Sequence, residues 1–128
     1  MKTHNKIKTW VTLIITGPEL KPEELTGLGI NPDYFHLPYL KENGEMVQGY
    51  WQLNSNLEDV GEIEEHILSI LKRIAPFRKD FKEKILGTHS LFYCSVDFLG
   101  QESKGLSLSA RILSLLSDLN ISIQIYPN

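Results

Sequence analysis

The chain is expected to fold as an α+β protein, a two-layer sandwich whose mostly antiparallel sheet of four to five strands carries helices on one face in a ferredoxin-like arrangement. Three observations predict this. Four stretches alternate apolar and polar residues with a period of two, at least two others repeat apolar residues with the helical period, and the elements follow the order strand, helix, hairpin, helices, strand, helix, strand.

Residues 9–16 form the first strand: Val11, Leu13 and Ile15 point one way, Trp10, Thr12, Ile14 and Thr16 the other. Gly17-Pro18 ends it. Pro22 opens a helix of about two turns, with Glu23 and Glu24 at its positive end and Gly27 and Gly29 limiting its length. Residues 30–39, with two prolines, read as an irregular loop; whether it covers the sheet is left open by the sequence. Asn43-Gly44 supplies a tight turn before a strand at residues 47–54 that sets Trp51 and Leu53 against Tyr50, Gln52 and Asn54.

Ser55 and Glu58 have capping-box spacing, and Val60, Ile63, Ile67, Ile70, Leu71 and Ile74 then mark a long helix. Pro76 interrupts it, so a shorter basic helix over residues 77–86 starts afresh and stops at Gly87. In the strand at residues 90–98, Phe92, Cys94, Val96 and Phe98 oppose Leu91, Tyr93, Ser95 and Asp97. Leu108, Ile112, Leu115, Leu116 and Leu119 stripe a final helix, and Ile121, Ile123 and Ile125 alternate with Ser122, Gln124 and Tyr126 in a closing strand.

A chain of 128 residues, 41% of them apolar, suffices for one core, so residues 1–128 are expected to form a single domain. The formal charge of −3 argues against binding that rests on neutralising phosphates, which disfavours nucleic acid. The apolar run around Val11 to Ile15 is far too short for a bilayer, so no membrane is expected. One cysteine, Cys94, permits no internal disulfide and no thiolate zinc clamp, which suits a reducing, cytoplasmic setting.

Trp51-Gln52-Leu53-Asn54-Ser55, the run Leu57 to Pro76 and the ending Leu106 to Tyr126 together resemble the family of domain of unknown function 4279. The resemblance covers nearly the whole chain and rests on packing features. It implies a small bacterial α+β domain and carries no activity, cofactor or catalytic residue with it.

No Gly-x-Ser-x-Gly elbow or glycine-rich phosphate loop occurs, so no catalytic residue, cofactor or metal is assigned. His66 follows Glu62 by four residues, and its place at the border of the apolar stripe reads as a solvated flank pair. His36, His66 and His89 become ligands only if the fold gathers them. Cys94, between Phe92 and Val96, reads as an inert core thiol. Lys72, Arg73, Arg78, Lys79, Lys82 and Lys84 either bind phosphate or complement helix dipoles, and the acids at the preceding helix start favour the latter.

The alternations place Trp10, Thr12, Ile14, Tyr50, Gln52, Tyr93, Ser95, Asp97, Gln124 and Tyr126 on the sheet face that the helices leave open. Rigid aromatic rings among polar groups suit binding a protein, and β-propensity alone would also put Tyr and Thr there. The expected role is therefore a non-catalytic module for a protein partner or self-association, immunity- or regulator-like, with Trp10, Tyr50, Gln52, Tyr93, Asp97, Gln124 and Tyr126 as contact residues. The competing reading is a small enzyme or ligand-binding protein using Asp97, Tyr93 and His36 in a pocket at the sheet margin.

Overall fold

A computed structural model describes residues 7–59, 61–100 and 105–127. Strand β1 (Lys8–Gly17) lies at the centre of a five-stranded sheet, in which β5 (Gly49–Asn54) and β6 (His89–Asp97) flank it. Both run antiparallel to β1, so they run parallel to each other. β2 (Tyr34–His36) forms one edge, antiparallel to β5, and β7 (Ser122–Pro127) forms the other, parallel to β6. The sheet is thus mostly antiparallel with one parallel pair. A separate ribbon joins β3 (Tyr39–Leu40) to β4 (Met46–Val47), and Gly44 takes the positive φ that the Asn43-Gly44 turn calls for.

Strands that run parallel need crossover connections, and helices supply them. Helix α1 (Pro22–Thr26) follows β1; α2 (Ile63–Ile74), a 3-10 turn at Ala75–Phe77 and α3 (Arg78–Lys84) carry the chain from β5 to β6; α4 (Ala110–Leu119) carries it from β6 to β7. Pro76 sits in the 3-10 turn, where the expected break between two helices falls. Ser109 caps α4 by accepting the Ile112 N–H, and Asn120 closes it in the left-handed region.

The helices bury one side of the sheet. Val11, Leu13 and Ile15, Trp51 and Leu53, and Phe92, Cys94 and Val96 share a core with Ile67, Ile70 and Ile74 of α2, Phe81 of α3, and Ile112 and Leu116 of α4. Each fully buried aliphatic or phenylalanine side chain there contributes about 1.5–3 kcal/mol of transfer free energy. Trp51 lies across from Phe81 with ring centroids 6.0 Å apart, and its Nε1 donates to Thr26 Oγ1 at 3.4 Å.

Two local expectations give way. The long helix does not start from a Ser55–Glu58 box: Gly61, at φ +100°, breaks the backbone, α2 begins at Ile63, and Ser55 instead accepts the Leu57 N–H. Val60, counted in its apolar stripe, lies outside the described residues. Nor are residues 30–39 an irregular loop throughout. Asp33 donates its N–H to Gln52 O at 2.8 Å and accepts the Asn54 N–H on its carboxylate at 2.6 Å, which pins the segment to β5 and makes β2 a fifth strand.

Candidate functional site: the open face of the sheet

The face turned away from the helices is set by strand register. One row across it reads His36, Tyr50, Thr16, His89; the next Tyr34, Gln52, Ile14, Leu91, Ser122; the next Asn54, Thr12, Tyr93, Gln124; then Trp10, Ser95, Tyr126, with Lys8 opposite Asp97 beyond. All seven expected contact residues, Trp10, Tyr50, Gln52, Tyr93, Asp97, Gln124 and Tyr126, therefore stand on one side. The segment at residues 30–39 widens this side through β2 instead of covering it.

Two ring clusters mark the face. Tyr93 and Tyr126 stack with centroids 4.7 Å apart, beside Trp10, and all three rings stay at least 40% exposed. Toward the β2 edge, His36 stacks on Tyr50 at 5.4 Å, while Tyr34 meets both edge-on and Tyr39 meets His36. Partial burial, and then the neighbouring Tyr34, raise the Tyr50 phenol above its ordinary pKa.

Polar side chains between the clusters are held by one another. The Tyr50 hydroxyl donates to Gln52 Oε1 at 2.6 Å, Gln52 Nε2 donates to Asn54 Oδ1 at 2.8 Å, and Thr12 Oγ1 donates to the same oxygen at 3.1 Å. Tyr126 likewise donates to Gln124 Oε1 at 2.7 Å. Such a ladder fixes rotamers before anything binds, which lowers the entropic cost of a contact. Asp97 is less available than its position suggests, because its Oδ1 accepts the Leu99 N–H at 2.8 Å and shapes the turn after β6.

Tyr34, His36 and Tyr39 were not among the expected contact residues. Their signal was the two-residue spacing of Tyr34 and His36, hidden by the flanking prolines Pro32 and Pro38.

The three described histidines, His36, His66 and His89, do not gather. His36 and His89 lie in one row but three strand spacings apart, about 14 Å. His66 is on the other side of the sheet and is 1% exposed, its Nδ1 2.7 Å from Ser55 Oγ. The expected solvated pair of His66 with Glu62 is therefore corrected: Glu62 stands at the helix N-cap, and the ring turns inward because Ser55 gives it a polar partner inside the core. Among the described residues, no group of three His, Cys, Asp or Glu side chains is placed to hold a metal ion.

Asp97, Tyr93 and His36 likewise stay apart, since His36 is on the β2 edge and the other two are on β6. The surface hollows of about 320 Å³ beside Gly17, Leu20 and Thr88, and of about 220 Å³ between α2 and α4, are lined by none of the three. Cys94 is fully buried, and burial pushes its thiol up to about 12, as an inert core residue requires.

Four of the six clustered basic residues are engaged with other parts of the chain. Arg78 and Lys82 both reach Asp118, Lys84 pairs with Glu24 at 3.4 Å, and Arg73 donates to the carbonyls of Asn54 and Asn31. The hydrogen bond from Arg78 holds the Asp118 carboxyl below its usual range. These contacts commit Arg73, Arg78, Lys82 and Lys84 to partners within the chain, which leaves fewer free cations for a phosphate patch. No helix among the described residues is long and apolar enough to cross a membrane.

A family model described as a domain of unknown function (DUF4279) matches residues 5–128, essentially the whole chain. No curated protein matches, and no solved structure matches.

Proposed function

The chain belongs to the domain of unknown function 4279 family, and we propose that it serves there as a non-catalytic protein-interaction module, one domain that takes a protein partner on the open sheet face. The observation that carries this reading is the cluster of exposed rings, Trp10, Tyr93 and Tyr126, on a sheet side that no described helix occupies. Rings of this kind give large contact area at low entropic cost, and the hydrogen-bonded amides between them offer directional partners. An immunity- or regulator-like role in the cytoplasm of a bacterium fits a scaffold that presents such a surface. No cofactor is needed for it.

One feature supports the finer, ferredoxin-like reading of the architecture. β5 and β6 run parallel on either side of β1 and are joined through α2 and α3, which is the split β-α-β unit of ferredoxin-like folds. With the helical side committed to the core, binding falls to the other side. The net charge of −3 and Asp97 at the margin make nucleic acid the poorer occupant.

The test is recovery of partners from lysate of the native host by the tagged full chain and by Tyr93→Ala and Tyr126→Ala. A specific partner held by the wild type is expected to be lost by both, with the unfolding temperature of each within a few degrees of the parent. If both variants retain every partner, the face is not the site.

A further inference from the structure

We infer that the outer edge of β7 is a self-association site, at which two copies of this chain pair their β7 strands antiparallel about a two-fold axis. This rests on the unpaired backbone of the sheet margin and shares with the open face only the side chains of Gln124 and Tyr126, so it goes beyond the reading above and each can fail alone.

The two edges of the sheet differ in kind. β2 is three residues long, lies between Pro32 and Pro38, and is led by Asp33, devices that blunt an edge against pairing. β7 has six residues, Ser-Ile-Gln-Ile-Tyr-Pro, with no charge and with proline only at its last position. It is paired on one side alone, and no backbone hydrogen bond outside that pairing involves it among the described residues. Alternate N–H and C=O groups therefore face outward along a strand with high β-propensity.

The occupant is read from the sequence of the strand itself. Antiparallel pairing about Gln124 sets Gln124 opposite its own copy, Ser122 opposite Tyr126, and Ile123 opposite Ile125. The half-buried isoleucines then meet isoleucines on the helix side, and polar residues meet polar or aromatic ones on the open side. In a chain carrying a net charge of −3, this uncharged strand brings two copies together with no like charges in the contact. A two-fold axis normal to the sheet also keeps both open faces on one side, giving a ten-stranded sheet from two five-stranded ones. Two short strands bury less than the roughly 1,000 Å² of a standard interface, so the dimer is weak and concentration-dependent.

The experiment is sedimentation velocity of the full chain from about 10 μM to about 1 mM, the range of a weak interface. Wild type is expected to move from monomer toward dimer. Gln124→Lys and Gln124→Glu each place like charges face to face across the axis and weaken dimerisation about fivefold, whereas an equimolar mixture of the two restores it. Tyr34→Ala, which removes a ring at the opposite edge of the sheet, leaves self-association unchanged. Wild type that stays monomeric throughout, single variants that dimerise like wild type, or a mixture that fails to recover would each overturn the β7 pairing without touching the proposal for the face.

Discussion

The chain has two tryptophans, and the sheet puts one on each of its sides. Trp51 on β5 is fully buried against Phe81, whereas Trp10 on β1 is 44% exposed beside Ser95 and Tyr126. Both belong to strands of the same sheet, and both are set by the same two-residue period. What separates them is parity alone: one stands with Leu53, Leu13 and Phe92, the other with Thr12, Tyr93 and Gln124. One ring is therefore used for folding, and the other is left exposed on the face proposed above for a partner.

Breaking the buried side has the largest expected effect. Trp51→Ala removes the ring, its contact with Phe81 and its hydrogen bond to Thr26, and is expected to cost about 3–5 kcal/mol in urea unfolding. A loss below about 1 kcal/mol would mean that the covered side is far less tightly packed than the zero exposure of Trp51 implies.

Cys94 offers a smaller and pH-dependent break on the same side. Its thiol has an ordinary value of 9.0 and is raised by burial to about 12 in the folded chain. The folded state therefore holds a proton that the unfolded state releases above pH 9, so this group's stabilisation is intact below about 9 and declines as pH rises toward 12. The slope approaches about 1.4 kcal/mol per pH unit for one proton. Cys94→Ala is expected to flatten that part of the stability profile. An unchanged alkaline slope would assign it to other groups, Tyr50 among them, whose phenol is also raised.

The contrast between the two sides was legible in the residues because burial of one face imposes the two-residue period directly. Residues 9–16, 47–54 and 90–98, with the closing Ile-Gln-Ile, all show it, and the seven residues proposed for contact inherit one side from it. What alternation does not encode is which strand lies beside which. The rows, the parallel β6–β7 pair and the two ring clusters depend on register between distant segments. β2 was hidden for a different reason: three residues between prolines carry too little period, and tertiary hydrogen bonds from Asp33 make the strand. His66 was misplaced because a border position on a helical wheel is decided by what comes to meet it, here the Ser55 hydroxyl. Ser55, in turn, looked like a helix cap only while Gly61 was taken as helical.

The smallest effect sharpens the comparison most. Trp10→Ala is expected to change stability by less than about 1 kcal/mol, because the ring is nearly half exposed and its removal opens no cavity. The companion measurement uses Trp51→Phe, which keeps a ring in the core and leaves Trp10 as the sole tryptophan, excited selectively over the tyrosines. Iodide, an anion confined to solvent, should quench that remaining emission readily, and a protein occupying the open face should shield it. If Trp10→Ala costs as much as Trp51→Ala, or if iodide does not reach Trp10, the outer ring is part of the fold. The division of labour between the two sides would then be lost, since both tryptophans would be doing the same job.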